Sequence, residues 1–264
     1  MKQEIIEFLN NTKYFGLRKI YYSLKQLKSE ITVFLTDSSV IKKERQQSLV
    51  KYKISKILIE EFDGDFGHNI NTEQFFLGFG LVHYALVRNC KPKHILCVGS
   101  RKGYIPAILA LACKDNGSGH IDFVDAGYDQ DKPTKHWSGV GFWKKNNPNK
   151  HFGKIGISNF ITTYVMTTQE YAKKYPKKRY QYIYIDGDHS YESVKKDYSF
   201  FWPGLDKKGL MSFHDVIAKG SLDKGLFGVW KLWEELKENK IVFPFPKDSG
   251  LGIIQKVLSY VVTY

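Results

Sequence analysis

The groups best equipped for chemistry in this chain sit in two short runs, Asp186-Gly187-Asp188-His189 and His214-Asp215. Carboxylates beside imidazoles can move protons or hold a cation. Each run follows an apolar, β-branched or aromatic stretch, and the pattern predicts strands over 182–186 and 210–214 that deliver the two clusters at their ends. Taken alone, Asp188 to Tyr191 would also suit the cap of a following helix, and Asp215 the start of a loop. A third candidate is the turn Gly99-Ser100-Arg101-Lys102-Gly103, placed between an apolar strand and an apolar helix. Glycines there let a ligand approach the backbone, and the helix start offers unpaired N–H groups. Asp125 ends the next strand about 20 residues later, where a carboxylate can accept hydrogen bonds from ribose hydroxyls.

These groups need a scaffold that brings strand ends together. From residue 74 onward, helix and strand signals alternate: helices over 74–88, 105–112, 168–174, 191–201 and 229–240, and strands over 94–98, 120–125, 160–166, 182–186, 210–214 and 252–255. That alternation predicts an α/β fold with a parallel sheet and helices on both faces. Residues 1–66 read as an N-terminal helical extension or cap, with Leu17, Ile20, Tyr21, Leu24, Leu27 and Ile31 at helical spacing, and 67–264 as the α/β domain. The turn formers at 62–67 mark the boundary, but they lack the length and terminal glutamate of a calcium loop. The glycine- and lysine-rich stretch 126–158 is too long for an ordinary connection and is expected to form a lid or substrate loop, with His136, Trp137, Trp143 and His151 as candidate contacts.

Composition narrows the classes. The 264 residues are 42% hydrophobic, enough for a sizeable core, and no apolar run approaches the roughly 20 residues of a membrane span. No secretory signal is visible at the start, so a cytoplasmic location is expected. Cys90, Cys97 and Cys113 fit no metal spacing and are read as reduced packing residues. The net charge of +13 favours anionic partners, nucleic acid among them, but the lysines are scattered and no RNA-recognition motif accompanies them. Tyr191 and Lys195 have a reductase-like spacing, yet the glycine turn lacks the dinucleotide-binding pattern.

The run Asp186-Gly187-Asp188-His189-Ser190-Tyr191, then Trp202-Pro203-Gly204-Leu205 and Phe213-His214-Asp215, resembles class I S-adenosylmethionine-dependent methyltransferases of the Methyltransferase-24 type, which are similar to sugar O-methyltransferases and cephalosporin hydroxylase-like proteins. The likeness runs from about residue 74 to 256 and implies a Rossmann-like sheet. By this resemblance Gly99, Ser100 and Gly103 would cradle the methionine part of the cofactor, Asp125 its ribose and Met166-Thr167 its adenine edge, with Asp186 also at the cofactor. Asp186, His214 and Asp215 would hold a divalent cation such as magnesium, and Asp188 or His189 would take the acceptor's proton. Two positions depart from the family. Cys97 stands where an acidic residue commonly holds the cofactor's ammonium group, and His214 stands where metal-dependent relatives are acidic, which widens the choice toward manganese or another transition metal. Without a metal, His189 or His214 would act as base. The implied activity is O-methylation of a small molecule, a sugar, glycosylated metabolite or anionic metabolite, by a homo-oligomer. An RNA methyltransferase and a non-catalytic binding subunit are the alternatives.

Overall fold

The computed structural model describes residues 52–64, 66–128, 141–219, 227–245 and 249–257. Apart from Tyr52 these belong to one compact unit that begins at Lys53, ahead of the boundary expected at 66. The helical pattern at 17–31, His136 and Trp137 lie outside the described residues.

The chain enters this unit through helix α1 (Tyr52–Glu60) and a single 3-10 turn, Phe66–His68. It continues through α2 (Phe79–Cys90), β1 (His94–Val98), α3 (Tyr104–Asn116) and β2 (His120–Asp125). After residues 129–140 come two short helices, α4 (Phe142–Lys145) and α5 (Pro148–Gly153), followed by β3 (Ile161–Val165), α6 (Thr168–Lys174) and β4 (Tyr180–Ile185). The remainder is α7 (Tyr191–Phe201), β5 (Leu205–His214), α8 (Val229–Glu235), β6 (Lys240–Phe243) and β7 (Leu251–Gln255).

The seven strands form one sheet in the order β3-β2-β1-β4-β5-β7-β6. The first five are mutually parallel, and β7 runs antiparallel to both β5 and β6. The sheet is thus mixed at one edge rather than wholly parallel. β1 and β4 lie in its middle, which explains their continuous apolar runs: parallel strands covered on both faces have no solvent side to mark with polar residues. One face carries Leu96, Val98, Ile183, Ile185, Met211 and Phe213 and is covered by Tyr171 of α6, Val194 and Phe201 of α7, and Leu232 and Trp233 of α8. The alternate residues Tyr182 and Tyr184 meet His83 of α2, whose Nδ1 lies 2.6 Å from the Tyr182 hydroxyl.

Two helices differ from the expected spans. The segment 229–240 is helical only to Glu235, and Ile241-Val242-Phe243 instead pairs with β7, as β-branched and aromatic residues favour. The segment 74–88 starts its helix at Phe79, because Asn71 and Phe76 close a small bridge and Gly78 takes φ +49°. α3 is held at both ends by left-handed glycines, Gly103 and Gly117, and is buried from Tyr104 to Cys113.

The long segment also proves different where it is described. Trp143 and Phe152 stack at 5.4 Å, Phe123 meets Trp143 edge-on at 5.0 Å, and Phe62 lies 4.2 Å from the His151 ring. The His151 Nε2 sits 2.9 Å from the Lys102 carbonyl. Trp143 and His151 are therefore core residues bracing the glycine turn, not contacts of a mobile lid. Burial lowers the His151 pKa, which keeps this packed ring neutral.

Candidate active site

Strand register decides what meets at the carboxyl edge of the sheet. Val98 pairs with Val124 on one side and Ile185 on the other, and Ile185 pairs with Phe213. The next residue of each strand extends the row, so Asp125, Gly99, Asp186 and His214 stand in line. Two backbone bonds tie the row together, Gly99 N–H to the Val124 carbonyl and Asp186 N–H to the Val98 carbonyl, both 2.9 Å. Gly99 adopts φ +69°, and a side chain there would set its Cβ 2.1 Å from the Asp186 carbonyl oxygen. Only glycine allows the two strand ends to come so close.

Above this edge opens a cavity of about 840 Å³, a volume within the usual range for small-molecule sites. Gly99, Ser100, Asp125, Met166 and Thr167 line one part of it, and His68, Asp186, His189, His214 and Asp215, which cluster together, line another. Asp188 also lines the cavity, but it is exposed and its carboxylate accepts the Ser190 N–H at 2.8 Å, outside the buried cluster. Gly103 is not on the wall. It starts α3 in a left-handed conformation, and its missing side chain makes room for Trp143 and Phe152, so its use is in packing. The Thr167 hydroxyl is occupied in a capping box with Glu170 at the start of α6, which leaves its backbone to face the cavity.

One oxygen of Asp125 accepts the Gly127 N–H at 2.7 Å, and burial, only partly offset by that bond, raises the carboxyl's pKa. Cys97 is fully buried with its thiol near the Gly99 carbonyl at 3.7 Å, and burial pushes its pKa well up. It is a neutral packing residue and cannot replace a carboxylate.

The other end is a dense knot of charge. The His189 ring lies with Nε2 3.3 Å from Asp186 Oδ1 and Nδ1 2.9 Å from Asp215 Oδ2. His214 Nδ1 lies 3.3 Å from the same two oxygens. Asp215 reaches them because it takes φ +61° directly after β5, a left-handed turn that aspartate tolerates better than most residues. His214 Nε2 sits 2.9 Å from the Gly67 carbonyl, with Ser249 Oγ 3.0 Å away. The Tyr184 hydroxyl donates to Asp186 Oδ2 at 3.0 Å.

Burial alone would discharge this group, but mutual attraction outweighs it. His214, His189 and His68 hold the Asp186 carboxyl well below the usual range against the opposing effect of burial, and His214 and His189 do the same for Asp215. In return, against burial, Asp215 and Asp186 raise His189 to about 10 and His214 well above its ordinary value. Among the described residues, two sets place metal-ligating atoms within 4.8 Å of one another: His68, Asp186 and His214, and Asp186, His189 and Asp215.

His68 is the member that motif spacing does not reveal. It comes from the 3-10 turn, 118 positions before Asp186 (186 less 68), and stacks on His214 with ring centres 4.6 Å apart. Gly67, through its carbonyl, and Ser249, just before β7, were equally hidden; glycine and serine in loops carry no distinguishing pattern.

Comparison with known proteins matches residues 96–216 to a family described as a methyltransferase domain, Methyltransf_24. Residues 96–216 are thus similar to a methyltransferase domain. The matched span holds the glycine turn, Asp125, Asp186 and the His214-Asp215 pair, while His68 and Ser249 fall outside it. The fold is shared with solved O-methyltransferases. The O-methyltransferase TomG of Streptomyces achromogenes, involved in tomaymycin synthesis and solved with S-adenosylmethionine, aligns with TM-score 0.54 and 14% identity over 78% of this chain and 89% of its own. A Bacillus cereus O-methyltransferase solved with S-adenosylhomocysteine aligns with TM-score 0.53 and 12% identity over 84% and 99%. In sequence, 72 residues are 35% identical to the uncharacterized protein y4gI of Sinorhizobium fredii, a match spanning 27% of this chain and 8% of that protein. No helix among the described residues is long and apolar enough to cross a membrane.

Proposed function

We propose that the chain transfers a methyl group from S-adenosylmethionine to a hydroxyl of a small acceptor, a sugar or glycosylated metabolite. The observation that carries this reading is the continuity of one cavity, with the glycine turn and Asp125 at one end and the histidine–aspartate knot at the other. S-adenosylmethionine supplies an electrophilic methyl on sulfonium when bound. The Gly99–Arg101 backbone, Asp125 and Met166 line the cavity and would hold it, Asp125 through the ribose hydroxyls and Met166 through the adenine. Alignment of donor and acceptor accounts for much of the rate in such a displacement, and the braced turn and sheet edge provide it.

The acceptor's proton must go to a residue of the chain. His189 is suited by position, but it holds its own proton up to a pKa of about 10 while Asp186 and Asp215 stand uncompensated. A divalent cation at Asp186 and His214, beside Asp215, would lower an acceptor hydroxyl's pKa and take over from the protonated imidazoles in balancing the carboxylates. The residues suit such an ion: His214 Nδ1 is buried and faces oxygens of Asp186 and Asp215, 3.3 Å from each. His189 in its neutral form then accepts the proton at Nε2.

Calorimetric titration with S-adenosylmethionine, with and without a divalent cation, tests the reading. Binding followed by methyl transfer to sugar or glycoside hydroxyls, read by mass spectrometry, is expected; no binding under either condition sinks it. Asp186→Asn should abolish turnover while changing cofactor affinity much less.

A further inference from the structure

We propose that His68, Asp186 and His214 form a site for a borderline transition-metal ion, and that the chain selects such an ion over magnesium. The inference rests on the proposed function only in placing the ion beside the acceptor.

Three observations converge. The first is separation. His68 Nε2 lies 3.6 Å from Asp186 Oδ2, and His214 Nδ1 lies 3.3 Å from Asp186 Oδ1. These distances exceed a good N–H···O hydrogen bond of about 2.7 to 3.2 Å. They match donors that share one ion: ligands about 2.0 to 2.2 Å from a tetrahedral centre stand about 3.3 to 3.6 Å apart.

The second is the tautomer of His214. A carbonyl can only accept, so the 2.9 Å contact with Gly67 requires the proton on Nε2. Nδ1 is buried and aimed at the oxygens of Asp186 and Asp215, 3.3 Å from each, where its lone pair becomes available to an ion once a proton there is displaced. Carbonyl, imidazole and metal in series is the arrangement by which a protein fixes a histidine ligand. A second proton on Nδ1 is the rival occupant, and the ion must displace it.

The third is donor chemistry. His68 and His214 stack at 4.6 Å with a 17° tilt, presenting two imidazole edges to one carboxylate, and all three residues line the cavity. Two nitrogens and one carboxylate suit zinc, iron(II), cobalt or manganese, whereas magnesium demands a near-octahedral oxygen shell. Asp215, whose Oδ2 is 2.9 Å from His189 Nδ1, pairs with that ring instead of completing the ligand set.

The test uses the full chain freed of metal with a chelator and titrated with cobalt(II), reading visible d–d absorption and calorimetric stoichiometry. One ion per chain with a four- or five-coordinate spectrum, not displaced by a large excess of magnesium, is expected. His68→Gln should weaken cobalt binding by more than about 100-fold, since loss of a ligand should exceed loss of a residue that only orients one. Asp215→Asn should stay within about tenfold. Should His68→Gln misfold, paramagnetic resonance of copper(II)-loaded wild type counts coordinating imidazole nitrogens directly, and two are expected. Absence of cobalt binding, displacement by magnesium, or a copper signal without imidazole coupling overturns the proposal. S-adenosylmethionine titrated into the metal-free protein reports separately: its failure beside intact cobalt binding sinks the methyltransferase reading and leaves the metal site standing.

Discussion

Asp197 should make the protein lose stability as pH rises, and Asp197→Asn should remove that loss. The carboxyl is 4% exposed on α7, and burial raises its pKa from 3.8 to about 7, with the neighbouring Asp188 adding to the shift and a Thr168 hydrogen bond opposing it. Between those values the folded chain keeps a proton that the unfolded chain has released. The favourable state is therefore fully present below pH 3.8 and is lost as pH climbs through about 7. A span of about three pH units at 1.36 kcal/mol each gives up to about 4 kcal/mol across the window. Asparagine keeps the shape and stays neutral at every pH. Urea unfolding of wild type and Asp197→Asn from pH 4 to pH 8 should show the variant gaining on wild type by up to about 4 kcal/mol, most of it between pH 5 and 7. Parallel profiles for the two proteins would refute the reasoning, because they would mean that Asp197 ionises in the fold as it does in water.

Two further substitutions probe the scaffold. Gly99→Ala should destabilise the fold by more than about 2 kcal/mol, since the new Cβ meets the Asp186 carbonyl at 2.1 Å in a left-handed backbone; a wild-type melting temperature with wild-type cofactor affinity would contradict this. Trp143→Ala should cost about 3 to 5 kcal/mol in denaturant unfolding, because the indole is buried and stacked on Phe152; a cost below about 1 kcal/mol would restore the segment to the status of a loose lid.

Much of the glycine-turn side of the cavity was legible because its signals are local. The apolar run before Gly99, the glycine itself and the Asp125 that ends the next strand are all set by one strand–turn–helix unit and its neighbour. The strand ends that carry Asp186 and His214 were legible from the apolar runs before them. His68 was not legible, since the sequence holds 8 histidines and nothing in the spacing of this one distinguishes it. Trp143 and His151 misled for a related reason: a glycine- and lysine-rich surrounding reads as solvent-facing, and burial against Phe62 and Phe123 is a tertiary fact. Gly103 looked like a ligand glycine because both of its actual uses, a left-handed helix start and room for an indole, leave the same letter in the sequence. β6 was hidden by its brevity, since its four residues, Lys240–Phe243, start on the last residue of the helical pattern before it.

The Gly67 carbonyl, His68 and Ser249 reach the histidine–aspartate knot from opposite flanks of the matched span, whereas Gly99, Ser100, Asp125, Met166 and Thr167 all lie within it. A change in one short entry turn would therefore reshape the knot and leave the sheet edge with its glycine turn as it is.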